Sequence, residues 1–160
     1  PDAAEVNRRL DRYWHPYHAE LARVIAETRE RFGAVLLFDA HSIGSVLPRF
    51  FEGRLPDFNV GTAEGASADA DLTSRMFDVL GNAPGYTAVL NGRFKGGYIT
   101  RHYGNPADNI HAVQLEMGQI AYMDEDPPFR FRPDRADAVR PVLTEMLQIG
   151  LDWINSRTGA

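Results

Sequence analysis

The sequence predicts an α/β fold, and three observations carry that expectation. Ala34-Val35-Leu36-Leu37-Phe38 is an unbroken apolar run after Gly33, the pattern of a strand buried on both faces inside a helix-covered sheet. Apolar residues spaced three and four apart run through residues 6–28 and again through 139–154, as in helices that bury one side. Between them, short apolar segments at 57–62, 86–90 and 110–117 are separated by loops bearing glycine, proline and asparagine.

Composition narrows the function. With 160 residues, 44% of them hydrophobic and 24% charged, the chain is long enough to bury a real core, and we read residues 1–160 as a single domain. A net charge of -5 argues against a nucleic-acid or anionic-membrane surface. With no cysteine present, any metal has to be held by histidine and carboxylate. No apolar run approaches the roughly 18 residues of a membrane span, and no signal segment is visible, so the expectation is a cytoplasmic protein. The chain opens on Pro1 rather than methionine, and an upstream portion is expected. Nothing in the sequence sets an oligomeric state.

Asp2 with Glu5 resembles a capping box, opening a helix whose stripe is Val6, Leu10, Tyr13, Tyr17, Leu21, Val24 and Thr28. Pro16 should kink or interrupt it. His15 and His18, three apart, fit packing beside Trp14 and Tyr17 better than a zinc pair. Residues 42–56 read as an ordered, packed loop, with Arg49 and Arg54 either solvated or anion-binding. A strand at 57–62 leads to a helix started by Asp69 or Asp71 that buries Leu72, Met76, Val79 and Leu80 and stops near Gly81. After the turn at Pro84-Gly85 comes a strand, Tyr86 to Leu90. The last helix runs from about Asp134 and buries Val139, Leu143, Met146, Leu147, Leu151 and Ile154, with Pro141 in an early turn.

Three places hold candidate chemistry. Asp39 and His41 arrive where the first strand runs out, two apart and so pointing the same way; His41 either caps the strand or acts as a metal ligand or base oriented by Asp39. Asn91 to Gly104 packs four glycines among Arg93, Lys95 and Arg101, with Tyr98, His102 and Tyr103 interleaved, either as a solvated basic hairpin or as an anion-receiving pocket. Along 110–117, alternation puts Ile110, Ala112, Gln114 and Glu116 on one face, and a carboxylate ending a core strand has to be paired, hydrated or functional.

Taken together, Phe38-Asp39-Ala40-His41-Ser42-Ile43, Val46 to Asp57, Asn91 to Gly104, Gln114-Leu115-Glu116-Met117 and Tyr122 to Pro128 resemble the motifs of the N-formylglutamate amidohydrolases over nearly the whole chain. That resemblance implies a three-layer α/β/α fold with a mixed central sheet, similar to the zinc-dependent exopeptidases of the phosphorylase/hydrolase-like type. It implies hydrolysis of a small anionic substrate, N-formyl-L-glutamate, to formate and glutamate in histidine degradation. It makes His41 a zinc ligand, Asp39 its outer partner and Glu116 the general base, with Arg93, Lys95, Tyr98, Arg101 and His102 as substrate-binding candidates and Arg49 and Arg54 behind them. The family's Pro-His-x-Gly motif and following acidic segment, which look like two further ligands, have no counterpart here. The resemblance therefore implies the carboxyl-terminal part of such a catalytic domain, with the remaining ligands upstream of Pro1. An amidohydrolase for another N-acyl amino acid or short peptide, and a non-catalytic anion-binding module, remain the alternatives.

Overall fold

The computed structural model describes residues 1–158. Its frame is a four-stranded mixed sheet, β1 (Val35–Ile43), β2 (Phe58–Gly61), β3 (Ala88–Leu90) and β4 (Ile110–Gly118), in the order β1-β4-β2-β3. β1 runs parallel to β4 and β2 parallel to β3, while β2 and β4 are antiparallel. The mixed α/β architecture is thus as predicted.

One face of the sheet carries Leu36, Phe38, Val113, Leu115 and Met117. It packs against α3 (Ala70–Gly81) and α5 (Pro133–Thr158), whose Leu72, Met76, Leu80, Val139, Met146 and Ile154 complete the core. Asp69 caps α3, accepting a hydrogen bond from the Asp71 amide at 2.8 Å. The fit between α5 and the sheet is close at Gly150, where a Cβ would lie 2.8 Å from Leu36 Cδ2. The opposite face carries Asp39, His41, Gln114 and Glu116. On that side lie α4 (Tyr98–Tyr103) and the amino-terminal helix, formed by α1 (Ala3–Arg9), a π turn (Leu10–Trp14) and α2 (His15–Phe32).

Several expectations are corrected. The doubly buried strand is β4, whereas β1 is the sheet's edge among the described residues, half-buried from Leu36 to Asp39 and exposed from Ala40 to Ser42. Both strands are apolar runs, and which one a third strand covers is a long-range fact that periodicity does not carry. Pro16 interrupts the α-helical pattern, as expected, without ending the helix. The π turn just before it absorbs the lost donor, with the His15 amide reaching back to the Leu10 carbonyl. The predicted stripe is not buried: the one buried residue of α2 is Ile25, outside that stripe, while Tyr13 and Tyr17 are exposed and border a cleft instead of the core. Leu151 is exposed as well, and Pro141 lies inside α5. The segment 98–103, read from sequence as part of a glycine-rich loop, is helical.

Candidate active site

Parallel register sets His41 beside Glu116 and Asp39 beside Gln114. Because alternate residues share a face, these four side chains converge on the floor of one cleft of about 1160 Å³. Its walls are Trp14, Tyr17 and His18 of the amino-terminal helix and Tyr98 of α4, with Arg8 and Arg9 at the rim. Asp39 Oδ1 lies 2.9 Å from His41 Nε2. A carboxylate that accepts from one imidazole nitrogen fixes the ring and leaves the lone pair of Nδ1 free to accept a hydrogen bond or ligate a cation. Glu116 is buried, and that burial pushes its carboxyl above the ordinary glutamate value; His41 partly offsets the shift and Asp39 adds to it. A carboxyl so placed is primed to accept a proton.

Gln114 is also buried, and its Oε1 accepts the Gly97 amide at 2.7 Å, so its amide nitrogen is the end left for other partners. The glycines before α4 serve this packing. A Cβ on Gly61 would lie 2.4 Å from Gly96 N, so β2 and the 92–97 loop meet backbone to backbone.

Of the substrate-binding candidates, Tyr98 lines the cleft, whereas Arg93, Lys95, Arg101 and His102 do not. Arg93 donates to the Phe50 carbonyl, Lys95 pairs with Glu64 at 2.6 Å and Arg101 donates to the Gly96 carbonyl at 2.6 Å. His102 stacks on Tyr98 with ring centroids 4.7 Å apart. Arg54 pairs with buried Asp57, which also takes the Thr87 amide and hydroxyl, a clamp on the start of β2. Arg49 lies against the Phe50 ring. Sequence reasoning missed Arg8 and Arg9, for which no signal existed. It placed Gln114 on the face of Glu116 without using it.

A sequence profile of the N-formylglutamate amidohydrolase family matches residues 1–123. The chain belongs to the N-formylglutamate amidohydrolase family. It is 53% identical over 153 residues to an N-formylglutamate deformylase of Pseudomonas putida, covering 96% of this chain and 57% of that one. A Pseudomonas aeruginosa protein of the same name is 52% identical over 157 residues, covering 98% and 59%. The crystal structure of N-formylglutamate amidohydrolase from Ralstonia eutropha JMP134 superposes with a TM-score of 0.80 at 29% identity, covering 98% of this chain and 57% of that one. The chain therefore spans under three-fifths of the length of these relatives.

The donor set at the cleft floor, one oriented imidazole among carboxylates, suits a divalent cation such as zinc. It does not make a whole site. Among the described residues no three histidine, aspartate or glutamate side chains come together as a metal-binding group, whereas a catalytic zinc ordinarily takes three protein ligands.

Proposed function

We propose that the protein hydrolyses N-formyl-L-glutamate to formate and L-glutamate, a cytoplasmic step of histidine degradation. The observation that carries this reading is the meeting of Asp39, His41, Gln114 and Glu116 on the floor of one cleft, in a chain of this family.

Glu116 is the general base in this reading. It takes a proton from the attacking water as the water oxygen bonds to the formyl carbon. It then returns the proton to the glutamate nitrogen as the carbon–nitrogen bond breaks. Its raised proton affinity suits both steps. Gln114 offers an amide donor to the carbonyl or carboxylate oxygens of the substrate. We assign His41, oriented by Asp39, as one ligand of a zinc ion whose other ligands lie outside these 160 residues. Bound there, zinc would supply carbonyl polarisation and acidification of water. Cations recognise the two substrate carboxylates. Arg8 and Arg9 line the cleft, both paired with Glu5, and Arg93, Lys95 and Arg101 are held by protein partners away from it, so each serves on turning from its present partner. Tyr98 presents its ring to the substrate from the wall, with His102 stacked behind it.

The test is formate release by the purified full-length protein from N-formyl-L-glutamate, set against N-acetyl and longer N-acyl glutamates. Glu116→Gln should lower kcat by roughly 10²- to 10⁴-fold while leaving the zinc content unchanged. Full activity in that variant removes Glu116 from the reaction, and preference for longer acyl groups replaces the formyl assignment.

A further inference from the structure

One ionisable residue of the cleft has no part in this scheme. His18 sits in an aromatic cage, its ring centroid 4.0 Å from Trp14, 5.0 Å from Tyr17 and 5.0 Å from Tyr98, with Tyr103 stacked at 5.8 Å. Its Nδ1 lies 2.7 Å from the Tyr103 hydroxyl, and that hydroxyl donates to the His18 main-chain carbonyl at 3.1 Å. The carbonyl has no proton to give and the phenol has only one. Both bonds form only when His18 Nδ1 carries the hydrogen and donates it to the Tyr103 oxygen. In the neutral ring Nε2 is then the nitrogen with the lone pair, and it has no hydrogen-bond partner among the described residues. His18 lines the cleft, and Tyr103, which holds its Nδ1, does not.

We propose that His18 touches the substrate, its Nε2 accepting a hydrogen bond from the amide N–H next to the scissile carbonyl, with Tyr103 as the positioning residue that sets the tautomer. This rests on the amide-hydrolysing reading. Of the other polar groups named there, Arg8, Arg9 and the Gln114 amide nitrogen can only donate, Glu116 is engaged in proton transfer and Asp39 in holding His41, which leaves the Tyr17 and Tyr98 hydroxyls as the competing acceptors. A secondary amide needs an acceptor for its N–H, and a site that provides one rejects an analogue lacking it.

The experiment compares N-formyl-L-glutamate with its formate ester isostere, 2-(formyloxy)pentanedioate, in which oxygen replaces N–H. In His18→Phe, which keeps an aromatic ring in the cage, kcat/KM for the amide should fall about tenfold or more while the ester is hydrolysed as fast as before or faster. His18→Gln, whose side-chain oxygen reaches near the Nε2 position, should recover part of the amide rate. Nitrogen-15 NMR should show His18 with hydrogen on Nδ1, and Tyr103→Phe should mix the tautomers and lower the amide rate alone. Equal loss on both substrates, no loss on either, or a hydrogen on Nε2 in the unsubstituted protein overturns the assignment. An unsubstituted protein that releases formate from neither compound overturns the hydrolytic reading instead, and this assignment with it.

Discussion

His111 shows how one side chain couples burial to pH. It ends up on the core face of β4, 2% exposed, its ring meeting Trp153 edge to face at 4.9 Å, and its Nδ1 accepting the Asp69 amide at 3.2 Å. A main-chain N–H can only donate, so the ring hydrogen is on Nε2, which has no partner. Burial lowers the proton affinity of this ring below that of free histidine; Asp69 opposes the shift and Arg157 adds to it. The unfolded chain therefore takes up a proton as pH falls through about 6.5, before the native state does, and stability is lost from there down to the lower native value. One proton limits the slope to about 1.4 kcal/mol per pH unit. His111→Asn, whose Oδ1 can still take the Asp69 amide, should have a lower melting temperature at pH 7.5 and a smaller further loss on going to pH 5. Parallel melting curves for the two proteins across that range would remove His111 as the titrating group.

At the scale of elements, the site depends on how closely the 92–97 loop approaches the end of β2. The Cβ that Gly61→Ala adds would meet Gly96 N at 2.4 Å and Lys95 C at 2.7 Å, both main-chain atoms that no rotamer can move aside. Overpacking of that kind costs about 1–3 kcal/mol, and here it pushes on the loop that sets Tyr98 and the Gly97 amide on Gln114. Gly61→Ala should lower both the melting temperature and the rate of formate release. Gly44→Ala, whose new atom meets only the Leu47 side chain from 3.4 Å, should change neither by much. Equal effects of the two substitutions in a paired melt and assay would refute the close-approach account. The same region shows where sequence reading succeeds and fails. The shared face of Asp39 and His41, and that of Gln114 and Glu116, follow from strict alternation and are legible residue by residue. Their meeting in one cleft depends on β1 pairing with β4 in register, across some seventy residues of intervening chain, and the family motifs pointed to it where periodicity was silent. α4 is a single short helix behind two glycines, too brief to show a period, so its segment read as loop and its cations as ligands. His18 shows the same limit, since its aromatic neighbours come from the π turn, α2 and α4.

For the whole molecule, two surfaces stand open on the same side of the fold as the cleft or beside it. β1 pairs only with β4 among the described residues, which leaves a nine-residue strand as the sheet's edge. The amino-terminal helix exposes Val6, Tyr13, Trp14, Tyr17, Val24 and Phe32, each by 39–60%. An unprotected edge strand templates pairing with another chain, and a contiguous apolar stripe adds the drive to bury it. The edge carries few of the features that usually blunt such strands, having neither lysine nor proline between Val35 and Ile43. The 160-residue chain by itself should therefore self-associate, its apparent mass by light scattering rising with concentration. Val24→Lys with Phe32→Lys places two charges on the exposed stripe, away from the core and the cleft lining. That pair should raise the monomer fraction with little change in melting temperature, because neither side chain is buried in the fold. A chain that is monomeric at every concentration, or a double variant that associates as strongly as its parent, would show that neither the edge nor the stripe drives contact.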